Sequence, residues 1–370
     1  MVRRPGVSII IDSYNHERFV EATIRSAMVQ DYEPLQVIVI DDGSPDRSQE
    51  IIKSFGSSIE AVFQENQGQV AACRNALALA KHDIVIFLDS DDLLEPHAAA
   101  TVAGAWRDGV SKVQYCLHVI DEEGVSNGNI FPKFSANLTP DAVRAEMIRT
   151  GSYPDSPTSG NAYDRRFLER ALPLLPRRNG FDGELNGIAP LYGEVISLNQ
   201  PLGSYRIHGA NDFAQSQLDV DRFADYLRHS EARLAFIGDH YRSMGQGIAD
   251  DALERDLKYQ EYALVVAKLG KPRDGEPKHL LKVAATAVMA ALTSPHTLIQ
   301  RAYRALSIAA VTIAPAMLAA KLIEQRFIPG RRAGWITRLA TAEQRPATKR
   351  GRPASVANGL KRPTPSSSHV

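Results

Sequence analysis

Short apolar runs alternate with helix-type segments over the first quarter of the chain, and this alternation constrains the fold more than any other feature. Residues 7–11, 36–40 and 84–88 are apolar almost throughout, with a briefer run at 60–63. Continuous apolar runs predict strands that are buried on both faces. The intervening segments predict helices, at 17–30, 46–55 and 68–80. The sequence therefore predicts the α/β class, with a mostly parallel sheet flanked by helices.

The pattern changes twice further along the chain. From about residue 111 to 210 it becomes looser, with strands expected at 113–120, 195–198 and 203–207 and a Pro- and Ser-rich loop at 152–159. Helical patterns then follow on both sides of a linker-like break at 270–277. We expect three parts: an α/β domain at 1–215, a helical region at 216–330, and a disordered basic tail at 331–370.

The charge is distributed unevenly. The tail holds nine Lys/Arg and one acid, so it carries +8, and residues 1–330 carry −8 although the whole chain is neutral. A mildly acidic body argues against nucleic acid as a partner. The two cysteines, Cys73 on an expected helix and Cys116 on an expected strand, suit a reducing cytoplasm. We expect a cytoplasmic protein, free or peripheral on the inner face of a membrane.

Residues 305–320 form an uncharged stretch between Arg304 and Lys321. Its sixteen residues, interrupted by Pro315, fall short of the ~20 that span a bilayer. We expect a buried or helix-packing segment, with contact to a membrane surface as the alternative. The basic tail nearby would favour an anionic membrane in that alternative.

Acidic and small polar residues follow three of the expected strands directly. The first strand ends in Asp12-Ser13-Tyr14-Asn15, the second in Asp41-Asp42-Gly43-Ser44, and the run at 84–88 in Asp89-Ser90-Asp91-Asp92. Crowded carboxylates repel one another unless a cation joins them, and oxygen ligands suit Mn²⁺ or Mg²⁺. Because ligands bind beyond the carboxyl ends of parallel strands, we expect a site at this edge.

Two of these strand ends also suit a nucleoside. Tyr14 offers a ring for stacking on a base, and Asp41 offers an acceptor for a base N–H or a ribose hydroxyl. Asp41-Asp42-Gly43-Ser44 is equally typical of a turn that caps the following helix.

The order and spacing of these segments resemble the family 2 glycosyltransferases of the GT-A fold. The resemblance is dense over residues 7–97 and returns near 190–211. It rests on residues 7–15, 26–30, 37–46, 65–69, 74–75, 87–92 and 205–211.

The resemblance implies roles for the matching positions. Asp12, Tyr14, Asn15, Asp41, Asn66 and Gly68 would hold the nucleoside, and Asp89 would lie near the ribose and the sugar. Asp91 would ligate Mn²⁺ or Mg²⁺, with Asp89 beside it and His208 completing the metal site. Arg74 would either pair with the diphosphate or brace the fold. The donor would be a nucleotide diphosphate sugar, by family default a uridine one, and the acceptor a saccharide or a lipid-linked hydroxyl in polysaccharide or glycolipid assembly.

An inverting transferase needs a carboxylate base opposite the leaving group. The segment 179–185 stands where the family places its base, and we expect Asp182 to act, with Glu184 in reserve. An ordinary Asp-Gly turn is the alternative reading of Asp182.

Two other functions remain open at this point. A phosphohydrolase of the haloacid dehalogenase type also uses Asp-x-Asp after a buried strand, although Leu93 stands where that pattern has Thr or Val. A catalytically inactive transferase-like domain could serve as a scaffold. Neither a Gly-x-Gly-x-x-Gly after the first strand nor a P-loop is present.

Overall fold

The computed structural model describes residues 4–175, 181–208, 218–270 and 277–327. The expected disordered tail at 331–370, most of the expected linker at 270–277 and the end of the 205–211 segment lie outside the described residues.

Nine strands and thirteen helices occupy the described part of the chain. The strands are β1 Val7–Ser13, β2 Leu35–Asp41, β3 Glu60–Phe63, β4 Ile84–Asp89, β5 Leu93–Leu94, β6 Val110–Ile120, β7 Ser126–Phe131, β8 Asn161–Asp164 and β9 Glu194–Arg206. The helices are α1 Val20–Met28, α2 Ser48–Ser54, α3 Gln69–Leu77, α4 Ala98–Ala105, α5 Pro140–Thr150, α6 Arg165–Ala171, α7 Asp182–Tyr192, α8 Val220–Ser243, α9 Ala252–Arg255, α10 Leu257–Leu269, α11 Pro277–Thr293, α12 Leu298–Ile313 and α13 Ala316–Phe327.

All strands belong to one sheet, in the order β3-β2-β1-β4-β8-β6-β9-β5, with β7 paired to β6. Strands β3, β2, β1 and β4 run parallel, and β6 and β9 are parallel to each other. Strand β8 lies antiparallel between β4 and β6, so β6 and β9 point the same way as the first four strands. The predicted α/β class with a mostly parallel sheet is confirmed.

One predicted pair of strands is wrong. Residues 195–198 and 203–207 were expected as separate strands, but β9 runs continuously from Glu194 to Arg206 beside β6. The intervening Asn199–Gln200–Pro201 is accommodated by register shifts in the β6–β9 pairing. Local irregularity in the ladder keeps the strand whole around Pro201.

Helices cover both faces of the sheet, as the apolar strands predicted. Along β1, Ile10 faces one core with α3, α6 and α7, while Ile9 and Ile11 face the other with α1 and α4. All three side chains are fully buried. This double covering leaves the ends of the parallel strands as the place where polar groups collect.

The helical region has its own core, formed by α8 and α10–α13. Helix α8 also packs on the α/β part, because Ile237 lies against Gly187 of α7. The expectation that residues 305–320 form a buried or helix-packing segment holds for the side that packs into this core, whereas the opposite side is exposed. Ile308 and Val311 are buried, but Leu306 and Ile313 are 71% and 84% exposed. A helix on the surface of this region can bury only one side.

Candidate active site

Parallel pairing brings the polar strand ends together. Asp12 of β1 is the register partner of Asp89 of β4, and Ser13 is the partner of Asp41 at the end of β2. Neighbouring strands lie ~4.8 Å apart, so these groups form one continuous edge. The edge predicted from the sequence is therefore present.

The Asp-x-Asp turn after β4 is held rigidly. Thr23 Oγ1 on α1 lies 2.9 Å from the carbonyl oxygen of Ser90 and 2.8 Å from that of Asp92. The Arg206 guanidinium donates to the Asp91 carbonyl oxygen at 2.7 Å, and the Arg206 amide donates to Asp92 Oδ1 at 2.8 Å. These bonds engage the backbone of the turn and the Asp92 carboxylate, and none of them engages the Asp91 carboxylate.

That carboxylate belongs to a compact group of metal-type ligands. His208 Nε2 lies 2.8 Å from Asp91 Oδ2, and the ligand atoms of His16, Asp91 and His208 all lie within 4.8 Å of one another. His16 Nδ1 bonds Ser90 Oγ at 2.7 Å, which leaves Nε2 for another partner. Burial lowers the pKa of His16, and this favours the neutral ring that a metal requires.

The chemistry of this donor set fits a divalent ion. Two imidazole nitrogens and one carboxylate oxygen suit Mn²⁺ better than Mg²⁺, which prefers oxygen ligands. A three-ligand site also keeps positions for phosphate oxygens. The predicted ligands Asp91 and His208 are brought together here, whereas Asp89 is not part of this three-residue group.

Asp12 and Asp89 form an acidic pair beside this group. Gln69 Nε2 lies 3.0 Å from Asp12 Oδ2 and 3.3 Å from Asp89 Oδ1. Burial and nearby carboxylates raise the pKa of Asp12 to about 6. Burial, and next the charge of Asp12, raise the pKa of Asp89 well above its usual range. Asp12 Oδ1 is buried without a hydrogen-bond partner, so the pair has unused capacity for a ligand.

The ends of β1 and β2 form the part of the edge predicted to meet the nucleoside. The Tyr14 side chain is 48% exposed, as a stacking surface requires. Asp41 is fully buried, and its two oxygens accept from the Ser44 amide at 2.9 Å and the Ser44 hydroxyl at 2.5 Å. The Asn15 amide donates to Ser44 Oγ at 3.0 Å, which ties the two strand ends together. Asp41 thus forms the turn that was the alternative prediction for residues 41–44.

Asp42 fixes the loop before α3. Its carboxylate accepts from the amides of Gln67 and Gly68, both at 2.8 Å. Gly43 adopts φ +76°, and a Cβ there would approach the Asn66 amide nitrogen to 2.9 Å. The Asn66–Gly68 segment is thus held against the end of β2, partly by a close approach that only glycine permits at position 43.

The two base candidates occupy different environments at the start of α7. Asp182 is half-buried and accepts from the Gly183 amide at 2.9 Å, whereas Glu184 is 3% exposed within the helix. Burial, and next the charge of Asp155, raise the pKa of Asp182. The charge of Asp182 also contributes to the raised pKa of Asp89, after four larger causes. Asp182 is therefore the more accessible of the two candidates, and Glu184 lies in the protein interior.

A buried lysine stands behind Asp182. The Lys112 ammonium on β6 donates to Asn186 Oδ1 at 2.6 Å and to the Tyr153 hydroxyl at 3.2 Å, and its side chain is fully buried. Burial lowers its pKa to about 7. Asn186 in turn donates to Asp155 Oδ2 at 2.9 Å. This network holds the first turns of α7 at a fixed position relative to the sheet.

Arg74 is half-buried on α3, where it lines a shallow pocket with Arg165 and Glu169 of α6. None of the other residues predicted to hold the nucleotide sugar lines that pocket.

Sequence reasoning missed His16, Arg206 and Lys112. His16 follows Asn15 directly at the end of β1, so the strand-end rule that selected Tyr14 and Asn15 could have included it. Arg206 lies in the segment 205–211, on which the family resemblance partly rests, but no role was predicted for it. Lys112 carried no signal, because a lysine in a strand is ordinarily exposed.

Comparisons with known proteins bear on the family to which this chain belongs. Residues 8–170 match the family model described as Glycosyl transferase family 2. An uncharacterised glycosyltransferase of Nostoc sp. is 30% identical over 271 residues, covering 69% of this chain and 81% of that protein. Chondroitin synthase of Escherichia coli is 32% identical over 156 residues, which cover 40% of this chain and 22% of the synthase. A solved mannosyltransferase of Pyrobaculum calidifontis, in complex with GDP-Man and Mn²⁺, has a TM-score of 0.48 and 18% identity, covering 87% of this chain and 84% of its own.

The Nostoc relative matches over most of its own length, and the family model covers the whole strand-end edge up to α6. The haloacid dehalogenase alternative is thereby excluded. The resemblance inferred from the motifs is confirmed, and the chain belongs to glycosyltransferase family 2.

Proposed function

We propose that the protein transfers a sugar from a nucleotide diphosphate sugar to an acceptor hydroxyl, with a divalent metal ion and with inversion at the anomeric carbon. The observation that carries the proposal is the group of His16, Asp91 and His208 beside the acidic pair of Asp12 and Asp89. Uridine diphosphate is the donor nucleotide that the resemblance implies.

In this proposal His16, Asp91 and His208 hold Mn²⁺ or, less well matched to the nitrogen ligands, Mg²⁺. The bound ion stabilises negative charge on the departing diphosphate. The half-buried Asp89 lies next to this group and contacts the ribose and the sugar.

The nucleoside is proposed to lie across the ends of β1 and β2. Tyr14 stacks on the base and Asp12 accepts from it or from the ribose, while buried Asp41 shapes this part of the edge through its bonds to Ser44. The two loops that carry Asn15 and the Asn66–Gly68 segment close the crevice on either side. We propose that Arg74 braces α3 against α6 and does not meet the diphosphate, because it lines a pocket with Arg165 and Glu169.

Asp182 is proposed as the base that takes the proton of the acceptor hydroxyl. Its raised pKa makes its carboxylate a stronger base, and Asp155 and Lys112 are the charged groups behind it. The crevice between Asp182 and Asp89 is the place for the acceptor oxygen and the anomeric carbon.

The acceptor is proposed to be a saccharide or a lipid-linked hydroxyl, in polysaccharide or glycolipid assembly. Support comes from the partial match to chondroitin synthase, which by its name makes a polysaccharide.

The test is calorimetric titration of the full chain with uridine and guanosine diphosphates, each with Mn²⁺ and with chelator, beside Asp91→Ala. We expect one nucleotide to bind with Mn²⁺ and to lose binding with chelator or in the variant. A turnover assay with sugars of that nucleotide follows. Absence of binding to either nucleotide would contradict the proposal, and binding without turnover of any donor would favour the scaffold alternative.

A further inference from the structure

The solvent-exposed side of helix α12 is apolar. Every exposed residue of this helix is apolar: Leu298, Ile299, Ala302, Leu306, Ala309 and Ile313. We call this set the outer face of α12. Its large side chains are 71–84% exposed. A helix on a water-facing surface ordinarily shows charged residues there.

The charges of α12 point into the protein. Arg304 lies 3.3 Å from Glu261 of α10, and Arg326 of α13 pairs with the same carboxylate, which is only 8% exposed. Arg301 donates to the backbone oxygen of His296. The helix therefore has its charges inside and its apolar side chains outside, the reverse of the arrangement in the α/β part.

The neighbouring helix α11 continues the same surface character. Its exposed residues include Leu281, Ala285, Met289 and Leu292, and no charged side chain is exposed between Lys282 and the end of the helix. Met317 and Leu318 at the start of α13 are 79% and 50% exposed. Exposed apolar areas of this extent mark a binding surface.

The width and flanks of the outer face distinguish between occupants. A helix pairing with a second copy shows a narrow apolar seam with charged residues beside it. Here most positions beside the face are uncharged, among them Tyr303, Ala305 and Thr312, and Arg301 is the charged residue on one flank. A broad uncharged face fits an apolar medium better than a narrow helix seam.

The length of α12 and the charge of the residues that follow α13 indicate which apolar medium covers the outer face. At 1.5 Å per residue, the 16 residues of α12 extend about 24 Å, short of the ~30 Å hydrocarbon core. No helix in the described ranges is long and apolar enough to cross a bilayer. Residues 331–370, which follow soon after α13, carry +8. An apolar helix face together with a basic segment is the two-part signal for an anionic membrane surface.

We propose that the outer face of α12, with the exposed apolar side chains of α11, lies in the headgroup layer of an anionic membrane, and that the basic tail contacts the same lipids. The proposal concerns a surface on the helical region and does not rest on the proposed catalytic chemistry.

The test is flotation of the full chain with vesicles of phosphatidylcholine alone or of phosphatidylcholine and phosphatidylglycerol in equal parts. We expect binding to the anionic vesicles, and a loss on the order of tenfold or more in I299E/L306E. The matched control is V125E/L174E, which changes two exposed apolar residues of the α/β part and should bind like the unsubstituted chain. Circular dichroism and thermal melting confirm that each variant is folded.

Three results would overturn the proposal. The first is no binding of the unsubstituted chain to either vesicle. The second is equal binding of the chain and I299E/L306E. The third, by light scattering in the absence of lipid, is a dimer that I299E/L306E dissociates while no chain floats with vesicles, because a second copy would then cover the face. Equal binding to both vesicle types would overturn the role of the basic tail.

Discussion

The α/β part and the helical region both bury acidic groups, but they compensate them differently. At the strand ends, Asp12 and Asp89 lie side by side, and the pKa of each is raised. In the helical region, buried Glu261 is paired with Arg304 and Arg326. Buried charge without a protein partner costs stability and is retained where a ligand supplies the partner.

The same comparison holds for apolar groups. In the α/β part the large aliphatic side chains of β1 and β4 are fully buried, whereas α12 leaves most of its large apolar side chains outside. The strand edge therefore awaits a cation and a charged ligand, and the helical surface an apolar one. The two regions therefore differ in the kind of ligand that their surfaces favour, and the substitutions below test this difference.

The largest effect is expected at the proposed base. Asp182→Asn keeps the size of the side chain and its contact with the Gly183 amide but removes the proton acceptor. We expect kcat to fall by about 10²–10⁴-fold while the affinity for the donor nucleotide changes little. Steady-state kinetics with the donor identified by titration, and calorimetry on the same variant, provide the two values.

Glu184→Gln is the control for that experiment. Because Glu184 is buried in α7, its substitution should lower the melting temperature and leave kcat of the folded protein nearly unchanged. The reverse pattern, with activity retained in Asp182→Asn and lost in Glu184→Gln, would assign the base to Glu184.

The second effect tests the ligand that sequence reasoning missed. His16→Ala removes one nitrogen of the three-residue group, so we expect the affinity for Mn²⁺ to fall by about 10–100-fold. Titration with Mn²⁺ followed by electron paramagnetic resonance measures free ion directly. His229→Ala, an exposed histidine on α8, is the matched control. Unchanged Mn²⁺ affinity in His16→Ala would reduce the site to Asp91 and His208.

These residues also show what the sequence can predict. The first four long strands and the acidic edge were predictable, because continuous apolar runs and strand-end carboxylates are local signals. The meeting of His208 with Asp91 was predictable only through the family resemblance, since 117 residues separate them. The strand β8 was not predicted, because its partner β6 is distant in sequence from its own local signals. The strand β7, which also pairs with β6, and the helices α5 and α6 were not predicted either.

The helical region was harder to predict for a physical reason. Helical periodicity identified its helices, but an apolar stripe alone does not say which side meets the core. The inward direction of Arg304 depends on Glu261, 43 residues earlier. The expectation that residues 305–320 form a buried or helix-packing segment did not specify which side of the helix would remain exposed.

The third effect tests the compensated charge of the helical region. Glu261→Gln leaves Arg304 and Arg326 facing each other without a carboxylate. We expect the free energy of unfolding to fall by about 2 kcal/mol, less than the 3–5 kcal/mol of fully buried pairs. The two arginine side chains are 24% and 23% exposed, which is the reason for the smaller value. Urea denaturation measures the loss, and Glu254→Gln on the exposed side of α9 is the control.

The smallest effect is expected at the acidic pair of Asp12 and Asp89. Substitution there should raise the free energy of unfolding, whereas substitution of Glu261 lowers it. Folding raises the pKa of Asp12 from 3.8 to about 6, so between these values the folded chain holds a proton that the unfolded chain has lost. The ionised group therefore lowers stability above about pH 6, and this cost disappears below the unfolded pKa.

Asp12→Asn removes the charge and keeps an oxygen that accepts from Gln69. In the presence of chelator, we expect it to raise the free energy of unfolding by ~1 kcal/mol near pH 8. This is less than the ~3 kcal/mol that the full pKa shift corresponds to, because the buried amide carries a desolvation cost of its own. The gain should shrink steadily as the pH falls through 6 towards 3.8. Urea denaturation across this range measures it, with Asp108→Asn in an exposed turn as the control. A loss of stability at high pH would mean that the strand-end carboxylates are compensated within the protein, like Glu261, and the contrast between the two regions would fail. With saturating Mn²⁺ and nucleotide the gain should disappear or reverse, because the ligand then supplies the missing partner.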